Sequence, residues 1–425
     1  MNVLFGILGI AAMLLIAFLM SNNKKAINYK TVIVGLVLQF LLAVFILKFE
    51  PGKIAFEYIG KFVEKILEFA NEGADFVFGP LSNSPEVLNE LFGDKAFMFA
   101  IKLLPALIFM MILVNILYYY GIMQRVVAVL GKLVNKLMDV SGAEALSNVA
   151  SSFVGQVVAQ IMIKPYLPNL TRSEILASMT GSMACLSGGL IAVYAGLGIP
   201  AQYMLAACIM AAPGALVVSK IIYPETLEPQ TKNDFKIRRR RTDVNVLDAI
   251  SKGASDGMKV GLNVIAMLIA LIALIALLDY FLGKFGVFAH HILHLDLSFM
   301  NIDIEHLSIK MIFGKIFSIF ALLMGIPMNE LDTVGSLLGT KFVLNEALAF
   351  TDLSMIRETI SEKSFIITTF ALSGFANFSS VAIQISGIGE IAPNQRKNLA
   401  RMGIRALIGG TLTSYISACM AAMLL

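Results

Sequence analysis

Long apolar stretches recur along the chain, at 2–20, 30–48, 96–120, 174–198, 201–222, 258–282, 363–388 and 403–424. A helix needs about 20 apolar residues to cross the hydrocarbon core of a bilayer, so the pattern predicts about eight spanning helices. Between the second and third, Lys53, Glu57, Lys61, Glu64, Lys65 and Glu68 are spaced among Ile, Phe and Leu at helical period. That spacing predicts an amphipathic helix lying at the membrane surface within 51–92. The stretch 283–308, which carries all four histidines, reads the same way.

Two regions, 144–170 and 309–350, are apolar but broken in the middle, and each is followed by a span with a polar break of its own. The first of these spans breaks at Cys185-Leu186-Ser187-Gly188-Gly189 and the second at Ser373-Gly374-Phe375-Ala376-Asn377-Phe378-Ser379-Ser380. The two spans end alike, in Ala195-Gly196-Leu197-Gly198 and Ser386-Gly387-Ile388-Gly389, and a further whole span closes each unit. The chain therefore reads as re-entrant hairpin, broken span and whole span, twice over. In the second hairpin the expected break is Gly325-Ile326-Pro327-Met328-Asn329-Glu330, with Glu330 at its tip.

Basic residues give an orientation. Lys24, Lys25 and Lys30 follow the first span. Lys232, Lys236 and the run from Arg238 to Arg241 follow the fifth, and Arg396, Lys397, Arg401 and Arg405 surround the last connection. With eight spans all three groups fall on one side, which the positive-inside rule makes the cytoplasm. Both termini then lie outside. The two hairpins enter from opposite sides, so the repeats are inverted and the polar site belongs at their shared interface near the midplane.

Composition agrees with this class: 58% of residues are hydrophobic and 15% charged, against about 25% charged in soluble domains. No ten-residue alternation suggests a barrel. The net charge of +4 is carried by loops, so nucleic acid is not expected as a partner. Met1–Met20 has neither a basic leader nor a small-residue cleavage site and reads as a retained span. Trp is absent, which leaves Tyr118, Tyr119 and Tyr120 as interface anchors. Cys185, Cys208 and Cys419 lack metal-ligand spacing and read as small buried hydrophobes. His290 and His294 are four apart but sit in an amphipathic setting and read as an interfacial face. No phosphate-binding loop supports ATP-driven transport, so energy is expected from an ion gradient. With no nucleophile–base pair or metal cluster, an enzyme is not the expected class.

Glu330 is the anomaly, since an ionisable group at membrane depth is costly unless paired, hydrated or liganded. The breaks offer Gln156 and Gln160, then Asn329 and Glu330, then Asn377, Ser379 and Ser380 beside Phe375. Carboxylate, amide and hydroxyl groups next to an aromatic suit a neutral, polyhydroxylated solute that carries a ring. Lys341 and Glu346 are five residues apart, too far for an i,i+4 pair, and Glu346 is either structural or part of coupling.

Gly325-Ile326-Pro327-Met328-Asn329-Glu330, Gly339-x-Lys341-x-x-x-Asn345-Glu346 and Gly374-Phe375-Ala376-Asn377-Phe378-Ser379-Ser380 resemble, in order and spacing, the concentrative nucleoside transporter family in its bacterial eight-span form. The resemblance implies an all-α integral membrane protein with two re-entrant hairpins and interfacial helices. It implies a homotrimer in a bacterial inner membrane that imports nucleosides by an elevator-like motion coupled to Na⁺ or H⁺. It places Glu330, Asn377 and Ser380 on the ribose, Phe375 near the solute, Gln156 toward the nucleobase and Leu190 in the pocket lining. The organisation it implies is 1–95 peripheral, 96–143 scaffold, 144–222 first repeat, 223–308 cytoplasmic loop with scaffold span, and 309–425 second repeat.

Departures from the family are local. Its first hairpin reads Gly-Gln-Thr/Ser-Glu, whereas this chain has Gly155-Gln156-Val157-Val158. A lost hydrogen bond to a desolvated base costs about 1–3 kcal/mol, or one to two decades of affinity. Of the residues matching the family's sodium site, Ser151, Val154, Cys185 and Leu186, the thiol is a poor ligand for a hard cation. Coupling to Na⁺ is therefore weakened or replaced by H⁺. Two alternatives stand beside nucleoside import: a carrier of another neutral polar solute on the same scaffold, and a binding-only membrane protein.

Overall fold

Pro51 at the first turn of one helix, Ser and Thr at the N-caps of others, and glycines at positive φ between them punctuate the chain into helices. The computed structural model describes residues 2–83, 99–232, 243–291, 304 and 306–425, and among these it is helical with no strand. The helices are α1 (Asn2–Leu19), α2 (Tyr29–Leu47), α3 (Glu50–Phe78), α4 (Pro80–Asn83), α5 (Phe99–Tyr119) and α6 (Ile122–Met138). Then come α7 (Gly142–Val154), α8 (Val158–Met162), α9 (Arg172–Ala184), α10 (Gly188–Gly196) and α11 (Ala201–Ile222). The rest are α12 (Val246–His291), α13 (Ile309–Leu323), α14 (Leu331–Val343), α15 (Glu346–Met355), α16 (Glu362–Leu372), α17 (Phe378–Ile391) and α18 (Arg396–Leu424).

Five helical segments among the described residues are long and apolar enough to cross a membrane, or six with the pair α5–α6, which bends by 75°. The expected span over 363–388 divides into α16 and α17, neither of which reaches spanning length alone. The amphipathic helix expected in 51–92 is α3, whose exposed face carries the Lys61–Glu57 pair at 2.7 Å. The separate interfacial helix expected at 283–308 is corrected in its first part: α12 runs unbroken to His291, because nothing in 283–291 stops a helix. Lys236, the Arg238 to Arg241 run and His294 lie outside the described residues.

Two layers are distinguishable by burial. α12 packs along α5 through Gly253, Gly257 and Gly261; a Cβ on either of the first two would lie 2.6 Å from a Cα of α5. Small residues at four-residue spacing let apolar helices approach to backbone contact, where lipid gives no hydrophobic drive. Much of the other surface of α12, including Leu262, Ile269 and Leu277, is exposed. By contrast α7, α9, α11 and α16 bury most of their side chains, as does α18 beyond its exposed first turns, and these form the inner bundle.

Along the chain one succession occurs twice, α6 to α11 and α13 to α18. The third of the helices in each is short, and the hairpin arms α7 and α14 both have 13 residues. Matching joints tie them. Ser141, the N-cap of α7, donates to Glu174 in the first turn of α9 at 2.6 Å. Ser361, the N-cap of α16, donates through its N–H and Oγ to Glu330, just before α14, at 2.9 and 3.1 Å. Each contact fastens the start of a hairpin arm to the start of the following broken span.

This corrects the second hairpin. Its arms are α14 and α15, and its tip lies at Leu344–Asn345, not at 325–330. Gly325, at φ +82°, and Pro327 instead turn the chain from α13 into α14. A glycine at positive φ with a proline two residues on favours a turn, and here the turn lies at the start of the arm, away from its tip.

Candidate functional site

The site is built where helices stop. Beyond α16, Gly374 N–H bonds to Leu372 O at 2.8 Å and Asn377 N–H to Phe375 O at 2.8 Å, two tight turns that end helical pairing. Asn377 then caps α17, its Oδ1 accepting from the Ser380 N–H at 2.8 Å and from Ser379 Oγ at 2.7 Å. Ser187 caps α10 through the Leu190 N–H, and Asn345 caps α15 through the Leu348 N–H at 3.0 Å. The broken spans cross at their breaks: a Cβ on Gly374 would lie 2.8 Å from Met183 O and 2.9 Å from the Ala184 carbonyl carbon.

Helix N-termini carry partial positive charge, so a crossing of capped half-helices suits an anion. That anion is Glu346, the first residue of α15, which is 6% exposed. Its Oε2 accepts from Asn377 Nδ2 at 2.9 Å and its Oε1 from the Tyr194 hydroxyl at 3.3 Å. Tyr194 is itself stacked on Phe350, with centroids 4.6 Å apart. Lys341, 1% exposed, donates to Ala371 O at 2.7 Å in the last turn of α16.

Hairpin one meets the crossing with its tip. A Cβ on Gly155, at φ +76°, would come within 2.7 Å of Ser187 Cβ and 3.3 Å of the Phe375 ring, so no larger residue fits there. The next turn, closed by Val158 N–H to Gln156 O at 2.8 Å, puts Val157 at φ +66°. A β-branched residue pays about 1–3 kcal/mol for that conformation. Val157 packs on Gly387 of α17, where a Cβ would be 2.8 Å from its Cγ1. Gln156 is half-buried, and its Oε1 is buried without a hydrogen-bond partner.

Several residues selected from sequence come together: Gly155, next to Gln156, lies against Ser187 and Phe375, Leu190 follows in the first turn of α10, and Asn377 holds Ser380 and Glu346. Others do not join them. Glu330 is engaged by Ser361, Val158 is exposed, and the Gln160 amide nitrogen is taken by Ser182 at 2.5 Å and Ser178 at 3.1 Å. The Gln160 Nε2 is thus held within the bundle, while its Oε1 is buried without a partner. The expected ion ligands divide as well. Ser151 Oγ pairs with Ser182 Oγ at 3.0 Å, while the Cys185 thiol faces Ser152 at 3.5 Å and Cys208 O at 3.6 Å; the Leu186 N–H meets Cys208 Sγ, and Val154 is buried at the end of α7. Glu346, which the sequence leaves as either structural or part of coupling, is the carboxylate that the crossing holds. Its signal was the Asn345 cap beside it and a preceding arm equal in length to α7.

Three family models cover most of the chain. The model described as Na⁺ dependent nucleoside transporter C-terminus matches residues 203–422, its N-terminal counterpart matches 8–81, and one described as a gate for nucleoside recognition matches 100–201. The chain is 41% identical to the uncharacterized transporter YutK of Bacillus subtilis over the full length of both. It is 35% identical to the nucleoside permease NupC of Helicobacter pylori, covering 99% of this chain and 97% of that one. The solved structure of CNTnw in an inward-facing substrate-bound state superposes with a TM-score of 0.91 at 35% identity, over 100% of this chain and 98% of that one.

Proposed function

The chain belongs to the concentrative nucleoside transporter family, so it is an integral membrane transporter and not an enzyme; on that premise we propose that it imports nucleosides through a bacterial cytoplasmic membrane, driven by an ion gradient. The observation that carries this reading is the Glu346 carboxylate held by Asn377 and Tyr194 where half-helices begin. A ribose diol donates well to such a carboxylate, with Asn377 and Ser380 beside it. The ring of the solute lies against Phe375, and the unpartnered Gln156 Oε1 accepts from the base. Glu346 thus takes the ribose role expected of Glu330, and Leu190 lines the pocket.

The doubled succession of helices supports two inverted repeats with re-entrant hairpins, and both termini then lie outside. In this reading the inner bundle moves as an elevator against a scaffold containing α5 and α12, and the exposed apolar face of α12 suits lipid and the contacts of a homotrimer. Either Na⁺ or H⁺ is the coupling ion. Ser151 and the Val154 and Leu186 backbone provide oxygens for Na⁺, while the Cys185 thiol, occupied by Ser152 and Cys208, provides none.

Val157 turned onto Gly387 favours a second reading, a carrier of another neutral polar solute, because nothing polar replaces it at the base end. Proteoliposomes carrying the purified protein decide between them. Radiolabelled uridine or adenosine is expected to accumulate under an imposed Na⁺ or H⁺ gradient, tested separately, and to be competed by ribonucleosides but not by ribose or free bases. Competition by ribose or bases alone transfers the assignment to the second reading. Nucleoside binding without accumulation under either gradient indicates a binding-only protein.

A further inference from the structure

Lys341 is a buried cation that the proposed solute contacts do not use. It lies at the end of hairpin arm α14, two residues before that helix stops, and only 1% of it is exposed. Its Nζ donates to Ala371 O at 2.7 Å, in the last turn of α16, where the break frees carbonyls from helical pairing. A helix C-terminus carries partial negative charge, which favours an ammonium there. Five residues later the same hairpin presents Glu346, which meets Asn377, the cap of α17. Two rungs therefore join the hairpin break to the span break: ammonium on the end of one half-helix, carboxylate at the start of two others.

The charges balance as well. An isolated ammonium or carboxylate is costly away from water, and removing one member of a buried pair leaves the other uncompensated. Lys341 and Glu346 make no direct ion pair, so each is anchored on the facing span and not on the other. Register and charge are thus set by the same residue.

We propose that Lys341 is the positioning residue of this site, fixing the register in which Glu346 meets Asn377 and balancing the charge of that carboxylate. This rests on the reading of Glu346 as the solute-binding group. The test is a double-mutant cycle of Lys341→Met and Glu346→Gln, read as melting temperature of the purified full-length protein, with nucleoside binding measured alongside. Lys341→Met is expected to weaken binding about tenfold or more, and Lys341→Arg, which keeps a cation on the carbonyl, to retain most of the affinity. In the cycle, the melting-temperature loss of the double variant is expected to be clearly smaller than the sum of the single losses, since groups that interact do not add.

Additive losses in the cycle, or equal loss of binding in Lys341→Arg and Lys341→Met, overturn the proposal. Should Lys341→Met fail to fold, recovery of the double variant supports the pairing. Should both fail, the affinity of folded Lys341→Arg decides, near-native binding supporting the role and lost binding overturning it. If the wild-type protein itself binds no nucleoside, the functional reading fails, while the thermal cycle still reports on Lys341 and Glu346.

Discussion

Glu346→Gln is expected to lower nucleoside uptake about 100-fold, because hydrogen bonds to a charged acceptor contribute about 1.5–3 kcal/mol each and every 1.4 kcal/mol is a factor of ten. The variant keeps the shape of the side chain and an oxygen for Asn377 or Tyr194, so the fold should persist. What it removes is the charge that ribose hydroxyls would meet. The control is Glu330→Gln. Glu330 is an acidic group in the same apolar region, yet its oxygens hold the Ser361 N–H and Oγ at the head of α16. Weakening that cap should cost about 1 kcal/mol of stability and leave substrate affinity near wild type. Uptake of radiolabelled nucleoside, normalised to protein in the membrane and set beside melting temperatures, separates the two. Loss of uptake in Glu330→Gln with full activity in Glu346→Gln would return the ribose role to Glu330.

Gly374→Ala is expected to be nearly as damaging, for a steric reason. The added methyl would lie 2.8 Å from Met183 O and 2.9 Å from the Ala184 carbonyl carbon, closer than real Cβ atoms approach backbone. Neither neighbour is the end of a flexible side chain that could swing aside. The broken spans must then separate at their crossing, at a cost of about 1–3 kcal/mol for overpacking. Because Phe375 and Asn377 follow Gly374 directly, the same displacement moves them relative to hairpin one. Expected is a lower melting temperature together with at least a tenfold loss of uptake. Native stability and transport in Gly374→Ala would show that the crossing is looser than these distances.

Much of what the helix breaks bring together is legible in the sequence. Asn377, Ser380 and Phe375 stand out because a polar cluster inside an apolar run has few uses other than ending a helix. Gln156 is recognisable for the same reason, beside Gly155. Glu330 was misplaced because Gly325 and Pro327 make the most conspicuous break in the second unit. The real tip, Leu344–Asn345, contains neither glycine nor proline and is made by an asparagine cap. Gln160 was a candidate because its residue type fits the chemistry, but its amide nitrogen serves Ser178 and Ser182 within the bundle.

Hydrophobic length, helix breakers and the placement of basic residues are properties of consecutive residues. From them alone came the helical membrane class, the broken spans and the doubled order of elements. Which carboxylate enters the site is not such a property. It depends on contacts between segments remote in sequence, Glu346 with Tyr194 across 152 residues and Glu330 with Ser361 across 31. Two acids in similar apolar surroundings differ only in which helix start each one meets, and the packing of the bundle decided that.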